Sequence, residues 1–411
     1  MFLYILYILL SPILFLIVLI SSIFNKKIRH RLLNQQKTIN NSFNVIKEKK
    51  NDRDIIILHA ASAGEMEQIK PVLRCINKTK FFTLVTYSSI SISKNLPLKL
   101  ADSFCYLPFD FIWSIFHFLY KIKPKKIIIT RHDIWPNFIL ISKFLKINLL
   151  LINANMHKKS KRILPLIKSF NSLIYKNFDL IYTPSEKMKE RIGLLTNNNK
   201  IIVNTDTRFE QILYRSKYNK KDGLIKKFCN YENIIFGSID QKDIEIIFNS
   251  LKLYTKKMKL IFVPHEPTPK IIKKIEDNLK IYDIKYCLYT ELDDKEYDCL
   301  IVNTVGILPE LYSYSKMAYI GCGFGEGVHS VIEPAIYSNL ICFGPNYHIL
   351  NEAEELIKNK LATVINTAED LTELYKNSFN SDLVKQNTEK IRLYINNKVE
   401  NINGIIEEIN K

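Results

Sequence analysis

The stretch Ile55-Ile56-Ile57-Leu58-His59-Ala60-Ala61-Ser62-Ala63-Gly64-Glu65 carries the pattern that decides the fold of this chain. Its leading aliphatic residues predict a short buried β-strand, and the small residues after them predict a tight turn into a helix. Similar apolar runs recur and alternate with helical patterns, which is typical of βαβ units in a parallel sheet. The predicted strands cover residues 55–58, 81–85, 127–129, 149–152 and 179–182 in a first series, and 233–237, 260–263, 300–302, 317–321 and 340–343 in a second.

The two series of strands predict two domains. We predict the fold class α/β, with two Rossmann-like domains facing a cleft and a transmembrane helix at the N-terminus. The charged residues 214–227 between the series form the predicted hinge. Ligands of such sheets bind beyond the carboxyl ends of the strands, so motifs at those ends are candidate sites. The predicted boundaries are 1–25 for the transmembrane anchor, 26–215 for the N-terminal domain, 228–395 for the C-terminal domain and 396–411 for a C-terminal helix.

The first residues of the chain predict a membrane anchor. Residues 2–24 carry no charge, and a bilayer core of about 30 Å needs about 20 such residues in a helix. The basic cluster Lys26-Lys27-Ile28-Arg29-His30-Arg31 follows them, which places the rest of the chain in the cytoplasm by the positive-inside rule. A cleaved signal peptide is the alternative, but the charged residues that should precede the apolar run are missing.

The composition limits the kinds of partner that we expect this chain to bind. The 411 residues include 59 Lys and Arg against 41 Asp and Glu, a net charge of +18. This excess favours anionic partners, whether nucleic acid, phospholipid headgroups or charged metabolites. The seven cysteines form no Cys-x-x-Cys pair, which favours a reducing compartment and argues against a zinc site.

Two motifs of the first series have both a structural and a functional interpretation. Ser62 and Glu65 have the spacing of a capping box, yet Glu65 also projects from a strand-to-helix turn where a ligand would bind. In Thr130-Arg131-His132-Asp133-Ile134-Trp135-Pro136-Asn137, the aspartate is either a helix N-cap or part of a site for a charged, hydroxylated substrate.

Two further motifs suggest the recognition of phosphate. In Asn204-Thr205-Asp206-Thr207-Arg208-Phe209, the arginine either stabilises charge on a leaving phosphate or is an ordinary surface residue. In Gly321-Cys322-Gly323-Phe324-Gly325-Glu326-Gly327-Val328-His329-Ser330-Val331-Ile332-Glu333-Pro334, we expect backbone donors to hold a phosphate, Ser330 to cap a helix and Glu333 to bind a ribose diol. A plain glycine-rich turn is the alternative. Shorter accessory motifs are Val263-Pro264-His265-Glu266-Pro267 and Thr304-Val305-Gly306-Ile307.

These motifs, in this order, resemble the Kdo transferases (3-deoxy-D-manno-octulosonic acid transferases) of lipopolysaccharide synthesis over nearly the whole chain. The resemblance implies a glycosyltransferase of the GT-B type, with Glu65 as catalytic base, Asp133 as transition-state stabiliser and Arg208 as stabilising cation. It also implies a site for the CMP part of the donor, formed by Pro264, His265, Val305, Gly306, Ile307, Ser330, Val331, Ile332 and Glu333.

The sequence departs from the family pattern at several of these positions. Arg131 replaces an acidic residue, and Asn155 and His265 each replace an arginine. Ser330 replaces an asparagine, and Asp133 and Arg208 are conservative replacements.

The resemblance further implies a reaction. The Glu65 carboxylate would remove a proton from the acceptor hydroxyl while that oxygen attacks the anomeric carbon of CMP-Kdo, with inversion. The expected acceptor is the phosphorylated lipid A precursor, lipid IVA. We expect anionic inner-membrane lipids as partners, no nucleic acid, no metal ion, no cofactor besides the donor substrate CMP-Kdo, and a body on the cytoplasmic side of the inner membrane. The alternatives are a membrane-anchored transferase using a UDP- or GDP-sugar and a non-catalytic membrane-anchored binding protein.

Overall fold

The computed structural model describes residues 2–93, 96–131, 133–156, 160–218, 228, 233–253 and 258–411. The chain divides into two compact units. The first contains Met1–Gln211 together with Lys398–Lys411, and the second contains Ile212–Asn397. Most of the predicted hinge, residues 219–227, lies outside the described residues.

The first unit contains a seven-stranded parallel sheet in the order β3-β2-β1-β4-β5-β6-β7. Its strands are β1 (Asp54–Ala60), β2 (Phe81–Tyr87), β3 (Ser103–Tyr106), β4 (Lys126–Thr130), β5 (Asn148–Ile152), β6 (Leu180–Thr183) and β7 (Ile201–Val203). The helices up to the second unit are α1 (Phe2–Leu9), α2 (Ser11–Phe24), α3 (Lys26–Lys49), α4 (Ala63–Cys75), α5 (Ile90–Ser93), α6 (Ile112–Ile122), α7 (Pro136–Phe144), α8 (Pro165–Tyr175), α9 (Glu186–Gly193) and α10 (Arg208–Tyr218), with 3₁₀ turns at Lys161–Ile163 and Asn198–Lys200.

Helices cover both faces of this sheet, which explains why its strands are continuously apolar. Ile55 and Ile57 belong to the core on one face, and Ile56 and Leu58 belong to the core on the other. This alternation follows from the two-residue period of a strand, and burial of both faces is typical of parallel sheets.

The second unit contains another seven-stranded parallel sheet, in the order β10-β11-β9-β8-β12-β13-β14. Its strands are β8 (Asn233–Ile239), β9 (Lys259–Pro264), β10 (Tyr286–Leu288), β11 (Cys299–Ile301), β12 (Met317–Ile320), β13 (Leu340–Phe343) and β14 (Ala362–Val364). The remaining helices are α11 (Gln241–Ser250), α12 (Pro269–Ile281), α13 (Leu308–Leu311), α14 (Ile332–Ile336), α15 (Asn351–Lys358), α16 (Ala368–Asn377), α17 (Ser381–Glu400) and α18 (Asn403–Asn410), with 3₁₀ turns at Leu251–Leu253, Tyr289–Glu291 and Tyr312–Tyr314.

The C-terminal helix α18 packs on the first unit, although it follows the second in sequence. Ile405 and Ile409 are buried in one core cluster of the first sheet. Lys126 of β4 donates a hydrogen bond to the carbonyl of Glu408 at 2.8 Å. The end of the chain is therefore part of the structure that carries the first sheet.

The two parallel α/β units predicted from the sequence are confirmed, and every predicted strand is present. The strands that were not predicted are β3, β7, β10 and β14, which are the edge strands of the two sheets.

The N-terminal segment differs from the single transmembrane helix that was predicted. Residues 2–24 form α1 and α2, which are bent by 49° relative to each other. Pro12 in the first turn of α2 has no amide hydrogen to donate to Ile8, whose carbonyl accepts the Ser11 hydroxyl instead. Within the described residues, no single helix is long and apolar enough to cross a membrane, whereas the bent pair passes by length and composition only.

Candidate functional site

The first group of candidate residues lies where the adjacent strands β1 and β4 end. Parallel pairing aligns His59 of β1 with Ile129 of β4, so the turns after both strands leave the same edge of the sheet. Glu65 follows the first of these strands and Asp133 follows the second. The negative charge of Asp133 raises the pKa of Glu65, so the two carboxylates interact electrostatically.

Glu65 is the third residue of α4, and the predicted capping box is present. The Ser62 hydroxyl accepts a hydrogen bond from the Glu65 amide at 3.3 Å. In return Glu65 Oε2 accepts from the amides of Ala61, at 2.6 Å, and Ser62, at 3.2 Å. Burial raises the pKa of Glu65, and the Asp133 carboxylate adds to the rise, while the Ala61 amide and the charge of Arg131 oppose it. A carboxyl group with a raised pKa is better matched to accepting a proton near neutral pH.

Asp133 is paired with a buried histidine. His59 Nε2 lies 2.8 Å from Asp133 Oδ2, and His59 Nδ1 lies 3.0 Å from the Thr86 hydroxyl. Burial alone would raise the pKa of Asp133, but the contact with His59 and a hydrogen bond from the Trp135 side chain hold it below its ordinary value. Asp133 therefore remains a carboxylate at neutral pH.

The interpretation of Asp133 as a helix N-cap is wrong. Helix α7 begins at Pro136 with Trp135 at the N-cap position, and the Trp135 side chain makes no capping hydrogen bond. Arg131 directly follows β4 and has a left-handed φ of 63°, a conformation that non-glycine residues rarely adopt. The adjacent His132 of this motif lies outside the described residues.

Arg208 begins α10 and is held by Asp206. Its Nε donates to Asp206 Oδ2 at 3.1 Å, and its amide donates to Oδ1 at 2.9 Å. Gln68 of α4 donates to both oxygens of the same carboxylate at 3.0 Å. Burial alone would raise the pKa of Asp206, but Arg208 and these hydrogen bonds lower it. Arg208 is therefore a positioned cation with a partly exposed guanidinium, not an ordinary surface residue.

Asn153 connects these elements behind the site. Its side-chain amide donates to the hydroxyls of Thr130, at 3.1 Å, and Thr207, at 2.9 Å. The Thr207 amide donates back to Asn153 Oδ1 at 3.0 Å, and the Thr207 hydroxyl donates to the carbonyl of Gln68. The ends of β4 and β5, the start of α10 and the first helix after β1 are thus held together by buried hydrogen bonds.

In the second unit, the glycine-rich loop leaves β12 at the edge where β8 and β9 also end. A Cβ on Gly321 would lie 2.3 Å from the Ser238 carbonyl oxygen, and one on Gly323 would lie 2.5 Å from the Gly344 nitrogen. These glycines therefore allow backbone segments to approach closely. The amides of Gly325 and Gly327 both donate to the carbonyl of Cys322 at 3.0 Å. The loop consequently uses these two donors to close its own turn.

The prediction that Ser330 caps the following helix is wrong. Helix α14 begins at Ile332, its N-cap is Val331, and no side chain caps it. The Ser330 hydroxyl instead donates to the carboxylate of Glu333. The side chains of Val331 and Ile332 are buried, so contact of these two residues with a ligand would involve their backbone.

Two histidines meet beside this loop. The rings of His265, which follows β9, and His329 stack with centroids 4.1 Å apart. The His265 amide donates to the carbonyl of Ile239, which ties the ends of β9 and β8 together. Burial, together with the nearby His265, lowers the pKa of His329. His329 is therefore neutral at pH 7.

The remaining predicted donor-site residues lie on two other segments. Pro264 is the buried last residue of β9. Val305 is largely exposed, Gly306 has a φ of 96° and Ile307 precedes α13. Among the described contacts, none connects this loop to the two histidines.

One cluster in the described residues has the composition of a metal site. Ligand atoms of Asp240, Asp243 and Cys322 lie within 4.8 Å of one another. The Asp243 carboxylate already accepts hydrogen bonds from the Tyr319 hydroxyl and from the amides of Cys322 and Asp240. Asp240 and Asp243 also form the capping box of α11. These protein contacts explain the cluster without a metal ion.

An Asp-x-Asp spacing occurs at Asp52-Arg53-Asp54, but at the opposite end of β1 from Glu65. Asp54 begins this strand and pairs with Lys125 at 2.7 Å. It is therefore remote from the carboxyl edge of the sheet.

Sequence reasoning assigned no role to several residues that hold the site together. These are His59, Gln68, Asn153, Asp206 and Thr207, all buried. His59, Asp206 and Thr207 stood inside quoted motifs. His59 carried a usable signal, since an ionisable residue directly after a run of aliphatic residues needs a buried partner. Gln68 carried no such signal, because its partner Asp206 is distant in sequence.

Comparisons with known proteins identify similar sequences and similar folds. Residues 34–211 match the sequence model of the family described as 3-Deoxy-D-manno-octulosonic-acid transferase (kdotransferase). A 3-deoxy-D-manno-octulosonic acid transferase of Rickettsia bellii is 28% identical over 386 residues, covering 90% of this chain and 88% of the relative. The enzyme of the same name from Aquifex aeolicus is 29% identical over 334 residues, covering 79% of this chain and 86% of the relative. The resemblance indicated by the motifs is confirmed.

Solved structures agree on the fold alone. The UDP-GlcNAc 2-epimerase from Neisseria meningitidis has a TM-score of 0.64 at 13% identity, covering 87% of this chain and 99% of that one. A glycosyltransferase from Rickettsia africae has a TM-score of 0.58 at 15% identity, covering 88% of this chain and 99% of that one.

Proposed function

Because this chain is similar to Kdo transferases over most of its length, we propose that it is an inverting glycosyltransferase that moves Kdo from CMP-Kdo to the phosphorylated lipid A precursor, lipid IVA. The observation that carries the proposal is the position of Glu65. Its carboxyl group is buried at the carboxyl edge of the first sheet, within electrostatic reach of the Asp133–His59 pair and of Arg131.

The geometry of Glu65 suits a general base. Both hydrogen bonds that its side chain receives within the described residues go to Oε2, which holds the carboxyl group in one orientation. Oε1 is then the oxygen that accepts the proton of the acceptor hydroxyl. A positioned base of this kind contributes about 10²- to 10⁴-fold to the rate.

Asp133 and Arg208 supply fixed charges of opposite sign. We assign Asp133 to stabilise positive character that develops at the sugar, because its carboxylate is kept ionised by His59. Arg208 stabilises negative charge that develops on the leaving phosphate. Because Asp206 and Gln68 hold Arg208 in place and His59 holds Asp133 before the reaction, little reorganisation is needed in the transition state.

We assign donor binding to the second unit. His265, His329, Ser330 and Glu333 are polar side chains close to the end of β9 or the loop after β12, where ligands of parallel sheets bind. Glu333 would accept hydrogen bonds from the ribose diol, and the imidazoles would bind the phosphate. Since binding of the nucleotide and transfer use separate groups, we propose that transfer needs no metal ion. Full activity in excess EDTA is the expected result.

We propose that the protein works at the cytoplasmic face of the inner membrane, with the N-terminal segment as its anchor. Exposed apolar residues continue from this segment onto α6. Phe15, Trp113, Phe116 and Tyr120 are exposed, and the buried Phe111 lies between the first two, with its ring centroid 5.4 Å from that of Phe15 and 5.1 Å from that of Trp113. The rings of Phe116 and Tyr120 stack with centroids 5.7 Å apart. Such a surface beside the basic residues Lys26 and Lys27 suits contact with anionic lipids and access to a lipid acceptor.

Vesicle flotation tests this location. The full chain should float with vesicles containing anionic lipid, and Lys26→Gln with Lys27→Gln should weaken the flotation. Equal recovery with purely zwitterionic vesicles would contradict the role of these charges.

The direct test of function is transfer by the purified full chain. We expect CMP-Kdo and lipid IVA to yield a lipid whose mass is increased by one Kdo residue or a multiple of it, which also shows how many units are added. The matched control is Glu65→Gln, which keeps the side-chain shape and should give no detectable product on the same time scale.

Competition by nucleotides tests the donor. CMP should inhibit transfer more strongly than UDP or GDP. Stronger inhibition by UDP would contradict the CMP-Kdo assignment and favour a transferase that uses a UDP-sugar.

A further inference from the structure

A buried polar network joins the N-terminal helix α1 to the start of α7. Its centre is Asp110, which precedes α6 and is buried. Asp110 Oδ2 accepts from the Asn137 amide at 2.9 Å, and Oδ1 accepts from the Phe138 amide at 2.8 Å. The carboxylate thereby caps α7, whose own N-cap residue Trp135 makes no capping hydrogen bond.

Two tyrosines of α1 complete the network. The Tyr7 hydroxyl donates to Asp110 Oδ2 at 2.9 Å, and the Tyr4 hydroxyl donates to Asn137 Oδ1 at 3.0 Å. Asn137 is fully buried and also donates to the carbonyl of Asp110. The Tyr7 ring packs near Phe170 of α8. An apolar segment that only anchored the chain would not need hydrogen bonds to a buried carboxylate of the body.

The residues held by this network are next to the catalytic loop. Asp133 and Trp135 lie three residues and one residue before Pro136, the first residue of α7. The position of the α7 N-terminus therefore determines the position of their backbone. The Trp135 side chain is also one of the groups that hold the pKa of Asp133 low. A displacement of the α7 N-terminus would therefore change both the position of Asp133 and its hydrogen bonding.

We propose that α1 couples the seating of the N-terminal apolar segment to catalysis, with Tyr4 and Tyr7 as positioning residues that act on Asp133 through Asp110 and Asn137. The proposal rests on the proposed function, because Asp133 is given a catalytic role there. It predicts that the enzyme is less active whenever α1 is displaced from the body.

The protonation of Asp110 provides a signature of this coupling. Burial raises the pKa of Asp110 to about 6, and the charge of Asp133 raises it as well, whereas the amides of α7 and the Tyr7 hydroxyl lower it. The groups facing Asp110 are Tyr4 and Tyr7 from α1, the α7 amides and the Asp133 carboxylate. Protonation of Asp110 would remove the negative charge that caps α7.

The test compares Tyr7→Phe with Tyr218→Phe, which removes a hydroxyl from an exposed side chain. In Tyr7→Phe the charged form of Asp110 loses a hydrogen bond, so its pKa should rise. We expect kcat to fall about tenfold at pH 6, with less loss at pH 8, so that the acid limb of the kcat profile moves to higher pH. KM for CMP-Kdo should remain unchanged, and Tyr218→Phe should match the wild type.

A second measurement does not depend on transfer. The tryptophans of the chain are Trp113 and Trp135, so Trp113→Phe leaves Trp135 as the only tryptophan, whose emission is excited selectively at wavelengths that tyrosine does not absorb. In that background we expect Tyr7→Phe to shift Trp135 emission and acrylamide quenching, and Tyr218→Phe to leave both unchanged. If no variant transfers Kdo, the proposed function fails while the emission shift still supports the coupling. If Tyr7→Phe changes neither the pH profile of kcat nor the emission of Trp135, the proposed coupling is overturned.

Discussion

The two sheet edges that carry the candidate residues are built differently. At the edge of the first unit, each pair of polar side chains joins a buried partner to a partly exposed one through hydrogen bonds, as in His59–Asp133 and Asp206–Arg208. At the edge of the second unit, close backbone packing around Gly321 and Gly323 forms the loop, and the titratable side chains His265 and His329 mainly contact each other.

This difference suggests a division of work. Charged groups held by hydrogen bonds to buried partners are suited to act on a transition state, since their orientation is set before the substrate arrives. Partly exposed groups on a backbone loop are suited to bind a ligand that leaves again. Substitutions in the first unit should therefore change kcat, and those in the second should change donor KM or the stability of the loop.

The largest expected effect is that of Glu65→Gln. We expect the initial rate of transfer to fall at least about 100-fold, because the amide cannot accept the proton. The glutamine oxygen still accepts from the amides of Ala61 and Ser62, so the urea midpoint should stay close to that of the wild type. Wild-type activity in this variant would reduce Glu65 to a capping residue.

The substitution Gly323→Ala should destabilise the loop at the edge of the second sheet, because the added methyl group would overlap backbone atoms. The alanine Cβ would lie 2.5 Å from the Gly344 nitrogen and 2.7 Å from its Cα, both backbone atoms. We expect a loss of about 1–3 kcal/mol in the free energy of unfolding, measured by urea denaturation. The matched control is Gly64→Ala, where the nearest atom is 4.0 Å away and stability should be kept or raised. Equal losses at the two glycines would contradict the comparison.

Removal of the Ser62 hydroxyl should separate the structural role of the first edge from its chemistry. Ser62→Ala deletes the acceptor for the Glu65 amide, which should cost about 1 kcal/mol of stability. The Glu65 carboxyl group keeps both amide donors, so kcat should change by less than about threefold, in contrast to Glu65→Gln. Circular dichroism melts and initial rates give the two quantities, and a kcat loss as large as that of Glu65→Gln is the contrary result.

The smallest expected effect is on donor binding, from His265→Arg. Because burial and the adjacent His265 lower the pKa of His329, that ring gains charge only under acidic conditions. An arginine at 265 is charged at every working pH, so we expect KM for CMP-Kdo at pH 8 to fall about threefold to tenfold, with kcat unchanged. The KM of the wild type should decrease as the pH falls, and that of the variant should be nearly constant. A changed kcat with constant KM would place His265 outside the donor site.

The strands show how much of the fold could be predicted. Central strands such as β1 and β8 are buried on both faces and therefore consist of aliphatic runs, which identify them in the sequence. The edge strands β7 and β14 are three residues long and only partly buried, so no such pattern marks them. Their existence depends on pairing with a neighbouring strand.

The candidate site shows the same limit at the level of single residues. The capping box of Ser62 and Glu65 is a local contact and was predicted correctly. The capping of α14 by Ser330 was predicted from equally local evidence and is wrong, because the helix begins one residue later than that pattern requires. The capping of α7 by Asp110 was not predicted, since the two partners are 27 residues apart.

The sequence by itself determined the alternation of strands and helices, the turns at the strand ends and the residues of the strand-end motifs, because all of these depend on neighbours within a few positions. Only the tertiary structure decided which charges are paired. It placed His59 against Asp133, Gln68 against Asp206, and Tyr7 of the apolar N-terminal segment against Asp110. Each of these contacts joins elements far apart in the chain, and a buried charge must find its partner in space and not in sequence.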